Sequence, residues 1–114
     1  MVQGRAVTRQ ADVIREVRRG SMKEPWGMDI SYRVLDNCSL EVLVSRVTPG
    51  SPVFREGLRA GQVLTTINNW EIEAMQVVEA VETVLLAGGF FITLGWLESS
   101  YDSSYSDWKL LGKF

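Results

Sequence analysis

Residues 47 to 68 read Val47-Thr-Pro-Gly-Ser-Pro-Val-Phe-Arg-Glu-Gly-Leu-Arg-Ala-Gly-Gln-Val-Leu-Thr-Thr-Ile-Asn68. Thr48-Pro-Gly-Ser-Pro52 is turn chemistry, and Pro52 suits the first position of a helix, where its fixed φ helps and its missing N–H is not needed. Gly57 stands where a left-handed cap ends a helix, so the spacing predicts a single turn from Pro52 to Glu56. Val63-Leu-Thr-Thr-Ile67 then reads as a strand, and Asn68-Asn69 as a hairpin turn into the short Glu71-Ile72 segment.

The chain on either side continues this mainly strand-like pattern. Ile30, Tyr32 and Val34 alternate with Ser31 and Arg33, and Leu40, Val42, Val44 and Val47 form a second run after the turn residues Asp36-Asn37. Downstream the period changes. Met75, Val78, Glu82 and Leu85, with Val77, Val81 and Val84 on an adjoining stripe, recur at helical spacing and stop at Gly88-Gly89, which predicts a helix of about three turns. Phe90-Phe-Ile-Thr-Leu-Gly-Trp96 is the closing strand. Val13 to Val17 fits a first strand or a helical turn, and no internal repeat is visible.

With 114 residues, 46% of them hydrophobic, the chain supports one modest core and no second domain of ordinary size. The absence of His removes Ser-His and Cys-His nucleophile pairs and Cys/His zinc sites. Cys38 is alone, so no intrachain disulfide forms, and a reducing compartment is expected. A net charge of -2 argues against nucleic acid as a partner. Residues 1–23 carry +4 and residues 24–97 carry -5, so a basic leader precedes an acidic core. The apolar stretch Val84 to Leu97 is too short to span a bilayer and is broken by glycines, so the chain reads as a soluble intracellular domain.

Short strands, one tiny helix, one larger helix and a closing strand resemble the PDZ domain over roughly Ile14 to Leu97. The 47–68 segment is similar to the PDZ stretch that links the third strand, short helix and fourth strand. Pro25-Trp26-Gly27-Met28 looks like the PDZ carboxylate-binding loop, and its Pro-Trp-Gly opening resembles the variant in the PDZ-LIM cytoskeletal adaptors. The resemblance implies an α+β, mainly β fold: a partly open antiparallel barrel or sandwich of five or six strands with one short and one longer helix. It divides the chain into a basic leader (1–13), a PDZ domain (14–97) and a polar linker with an apolar tail (98–114).

The physics of such a site can be stated directly. A terminal carboxylate needs convergent backbone N–H donors, and a tight loop ahead of an exposed strand aims the amides of Trp26, Gly27 and Met28 at one point. The following residues Asp29, Ile30 and Ser31 then offer a strand edge to an antiparallel peptide. Aligned with the family, Val77 is the first helix position facing the groove, with Val81 and Val84 one and two turns on. Many PDZ domains that choose Ser or Thr two residues before the ligand terminus carry His where this chain has Val77, so the resemblance implies a hydrophobic, class II ligand. Trp26, Met28, Ile30, Val81 and Val84 are expected to line the pocket for the last side chain.

Three departures and surplus features stand out. Gln62 occupies a position where the family usually has Asp. Val78 and Leu85 are expected on the outward face of the helix near Trp70 and Trp96, as though an extension covered them. Trp108-Lys-Leu-Leu-Gly-Lys-Phe114 is an apolar cluster after a Ser-rich linker, in which ordered structure is expected to lapse; it reads as a free tail, a cover for the outer face, or a self-ligand ending in Phe114 at its own or a neighbour's groove. The expected partners are hydrophobic C-termini of other proteins, with no nucleic acid, no catalytic residue, no metal and no cofactor. The alternative is a membrane-surface or regulatory module using Arg5, Arg9, Arg15, Arg18 and Arg19. The expected location is cytoplasmic, cytoskeletal or submembranous.

Overall fold

A computed structural model describes residues 10–75, 78–100 and 107–114. The turn before Pro52 behaves as its chemistry dictates. Helix α1 spans Pro52–Arg55, and Ser51 caps it by accepting the Phe54 N–H on its hydroxyl at 3.3 Å. Gly57, at φ +98°, takes the left-handed conformation that ends it. Around this turn stand β1 (Val13–Arg18), β2 (Met28–Val34), β3 (Leu40–Val47), β4 (Gln62–Ile67) and β5 (Trp70–Glu71). A 3-10 turn (Ile72–Ala74), α2 (Val78–Ala87), β6 (Phe91–Ser100) and β7 (Lys109–Lys113) follow. Asn68 and Asn69, at φ 51° and 68°, form the hairpin turn between β4 and β5, where two successive left-handed residues match the twist of the flanking strands.

All strand pairs are antiparallel, in the order β1-β6-β4-β3-β2-β7 with β5 on the side of β4. The sheet does not close. The first apolar run is a strand: Val13 to Arg18 pair with Trp96 to Phe91, and Val17 is fully buried. The core gathers Ile30, Val42, Leu64 and Leu94 from the strands, Val53 and Leu58 around α1, and Val81 and Leu85 from α2.

Two expectations are corrected. Leu85 does not face outward; it is 1% exposed, and Val78 is half-buried against the core. Val81 and Leu85 are four residues apart and therefore share one helix face, so burying one buries the other. Trp96 is likewise buried, whereas Trp70 is exposed. Ordered structure does not lapse at Glu98 either, because β6 runs on to Ser100 opposite Gln62, and the Glu98 amide donates to the Asp12 carboxylate at 2.9 Å. Residues 101–106 of the linker, Val77 and residues 1–9 of the leader lie outside the described residues. Gln62 does the local work of the missing Asp: its Oε1 accepts the Arg59 amide at 2.9 Å, while its Nε2 donates to the Glu98 carbonyl at 3.2 Å.

The two neighbouring leucines of α2 separate these roles. Leu85→Ala is expected to lower stability in urea unfolding by about 2–5 kcal/mol. Leu86→Ala, at a 68% exposed position, is expected to change it by less than about 0.5 kcal/mol.

Candidate functional site

The loop between β1 and β2 is held from behind. The Trp26 carbonyl accepts the Val53 amide at 3.1 Å, and the Gly27 carbonyl accepts the Thr48 amide at 2.8 Å. Gly27 has φ +98°, and a Cβ there would stand 2.1 Å from the Cβ of Ser51, so only glycine allows this approach. With the carbonyls engaged by the β3–α1 segment, the loop amides serve another partner. Trp26 N–H donates to the Phe114 carbonyl oxygen at 2.6 Å, and Gly27 N–H reaches the same oxygen at 3.4 Å. In return the Phe114 amide donates to the Met28 carbonyl at 2.8 Å. Met28 therefore takes part through its carbonyl.

From that anchor the tail runs back along β2 as β7. Asp29 pairs with Lys113 and Ile30 with Gly112; after a bulge, Ser31 pairs with Leu110 and Tyr32 with Lys109. The strand lies between β2 and α2. Of the three fates open to the apolar tail, the structure shows docking in the chain's own groove. Gly112 belongs to this fit, since a Cβ there would come within 3.3 Å of the Phe114 ring. Lys113 Nζ lies 3.9 Å from Asp29 Oδ2, a pair open to solvent on the lysine side and therefore weak.

The PDZ domain family matches residues 10–95. The chain belongs to it. Among solved structures it is similar to the PDZ domain of human microtubule-associated serine-threonine kinase 4, at 24% identity and TM-score 0.61, covering 76% of this chain and 94% of that one. It is also similar to the PDZ domain of choanoflagellate GIPC bound to GAIP peptide, at 18% identity and TM-score 0.54, covering 82% and 99%. No curated protein matches the chain.

Within this PDZ domain, the residues singled out in the sequence occupy distinct places. Pro25 borders a hollow beside Phe114. Trp26, Met28 and Ile30 are buried, and Asp29, Ile30 and Ser31 present their backbones to β7. The Ser31 hydroxyl donates to Ser45 Oγ at 3.0 Å within the sheet. Val81 is buried in the core and Val84 half-buried against it. Val77 lies outside the described residues.

Several contributors are not marked by the sequence as parts of the site. Arg19 Nε donates to the Gly89 carbonyl at 2.8 Å, a second nitrogen donates to Glu24 O at 2.9 Å, and a third to Gly88 O. Its guanidinium sits 4.0 Å from the centre of the Trp26 ring. One side chain thus ties the end of α2 to the loop and covers the loop's tryptophan, a use of Arg's planar fork that Lys does not reproduce. Leu85 and Leu86 border the Phe114 hollow together with Arg19 and Met22. Ser51 matters because it defines the space above Gly27.

A pair of glycines tests the loop geometry. Gly27→Ala is expected to cost at least about 1–3 kcal/mol through backbone strain alone and to remove exchange protection from the Phe114 amide. Gly50, at φ +78° with open space around its would-be Cβ, is the control: Gly50→Ala bears the conformational cost but keeps Phe114 protected in amide hydrogen exchange.

Proposed function

We propose that this domain is a protein-interaction module that captures C-terminal peptides with a hydrophobic last residue by adding them as a strand to β2. It works by binding, as PDZ domains do, and not by catalysis. The observation that carries this reading is the seat of the Phe114 carbonyl on the Trp26 and Gly27 amides at the end of an added strand. The GIPC PDZ domain, bound to GAIP peptide, has the same fold. Pro25 to Ser31, with Val77, Val81 and Val84 on the helix side, form the proposed site. Val77 has no hydrogen-bonding group, so an incoming Ser or Thr hydroxyl would be left unpaired at a cost of about 1–3 kcal/mol, and class II ligands are favoured. The Pro-Trp-Gly loop supports an adaptor role of the PDZ-LIM kind, with the binding domain at 14–97 flanked by the leader and the tail.

A second reading is favoured by β7 itself. The tail is a tethered competitor, and a short tether supplies an effective concentration of about a millimolar, so an incoming peptide must displace it. The same sequence can seat in a neighbour's groove and associate chains.

Fluorescence titration of the full chain tests the first reading. Peptides with a free terminal carboxylate are expected to bind at micromolar level, about -8 kcal/mol, and at least about tenfold more tightly than their amides. Leu should outbind Thr two residues before the end. Equal affinity of acid and amide overturns the carboxylate assignment, and a preference for Thr overturns the class.

For the tethered competitor, Phe114→Ala in the full chain is expected to raise apparent peptide affinity several-fold. Unchanged affinity would mean that the tail does not compete.

A further inference from the structure

The far end of the groove carries a feature the peptide-capture reading does not use. Arg33 lies on β2 directly opposite Glu41 on β3, and its Nε donates to the Glu41 carboxylate at 2.7 Å. The Glu41 side chain is 3% exposed and that of Arg33 28%. An exposed ion pair leaves a guanidinium free to swing; one anchored on a buried carboxylate keeps its plane. The guanidinium sits over the Trp108 ring, its carbon 4.3 Å from the centroid.

The strand register makes the contact selective. Between Ile30 and Ser31 the pairing with β7 shifts by one residue, so that Leu110 and Lys109 stand opposite Ser31 and Tyr32. Extending this pairing by one step brings Trp108 opposite Arg33. Without the bulge, Lys109 would fall there and the aromatic ring would overshoot. A bound strand is thus gripped at Phe114 by the loop and at Trp108 by Arg33, six residues apart.

We propose that Arg33, fixed by Glu41, is a distal subsite that takes an aromatic side chain six residues before the last residue of a bound peptide. The proposal rests on the groove reading above and adds a ligand class to it: peptides of at least seven residues with an aromatic at their upstream end. Arginine stacks on the face of Trp, Tyr or Phe through charge and ring quadrupole, an attraction an aliphatic side chain of similar bulk does not offer.

The test uses the full chain carrying Trp108→Ala and Phe114→Ala, so that its own tail supplies neither the ring nor the terminal anchor that competes with an added peptide. The added probes are Trp-Lys-Leu-Leu-Gly-Lys-Phe with a free carboxylate and the same peptide starting with Leu or Ala. The Trp peptide is expected to bind about three- to tenfold tighter than the Ala peptide, with Leu close to Ala. Adding Arg33→Gln should bring the ratio to about one. The peptide series decides the question even where Arg33→Gln unsettles the fold through Glu41. Equal binding of all three peptides overturns the subsite and leaves the groove standing; Leu matching Trp overturns it in favour of a plain apolar contact. Binding of none overturns the groove reading and the subsite together.

Discussion

The contact of Gly27 with Ser51 is the constraint on which the rest of the site depends. Because nothing larger than hydrogen fits on Gly27, the loop packs directly on the start of α1 and gives both its carbonyls to the Thr48 and Val53 amides. A loop bound in this way cannot also turn its amides inward. They point into the groove, where the Phe114 carbonyl meets them, and because the β3–α1 segment holds the loop from behind, much of the ordering of the donors is a cost of folding and not of binding. Arg19 completes the frame from the other side by joining the Glu24 carbonyl to those of Gly88 and Gly89. The loop and the end of α2 therefore hold a fixed separation, which is what a groove between β2 and α2 requires.

The fold places an edge strand in that frame. Among the described residues, β2 has a neighbour apart from β7 only on its β3 side, and an unpaired strand edge is a template for another chain. Here the tail covers it, with the same main-chain bonds an external peptide would make. Neither the exposed Lys113–Asp29 pair nor the apolar side chains alone fix the tail's register. The Trp26 and Gly27 amides set one end, and the bulge between Ile30 and Ser31 sets the phase of the other. The tail thus covers the edge, and in the proposed reading it is also a rival of any partner.

What the sequence reveals and conceals follows from how local each cause is. Pro52, Gly57 and Asn68-Asn69 act within a turn of their own positions, and α1, its termination and the β4–β5 hairpin are legible from them. The alternation of Ile30 with Ser31 marks β2, and Gly27 after Trp26 marks the loop. The face of α2 is harder, because Val81, Val84 and Leu85 form adjoining apolar stripes and periodicity alone does not say which faces the core and which the groove. Arg19 looks like one more cation of a basic leader, and Arg33 like the polar half of a strand. Their partners, Gly88 and Gly89 in one case and Glu41 and Trp108 in the other, are brought in by the topology. The apolar tail announces a need for burial without an address, since docking on the outer face and docking in the groove both remove apolar surface from water.

The most direct measurement is a set of cross-strand nuclear Overhauser contacts in the full chain without added peptide. Backbone contacts between Ile30 and Gly112 and between Tyr32 and Lys109, unchanged on dilution, are the predicted result. A tail with coil-like chemical shifts and no contact to β2 would contradict the account.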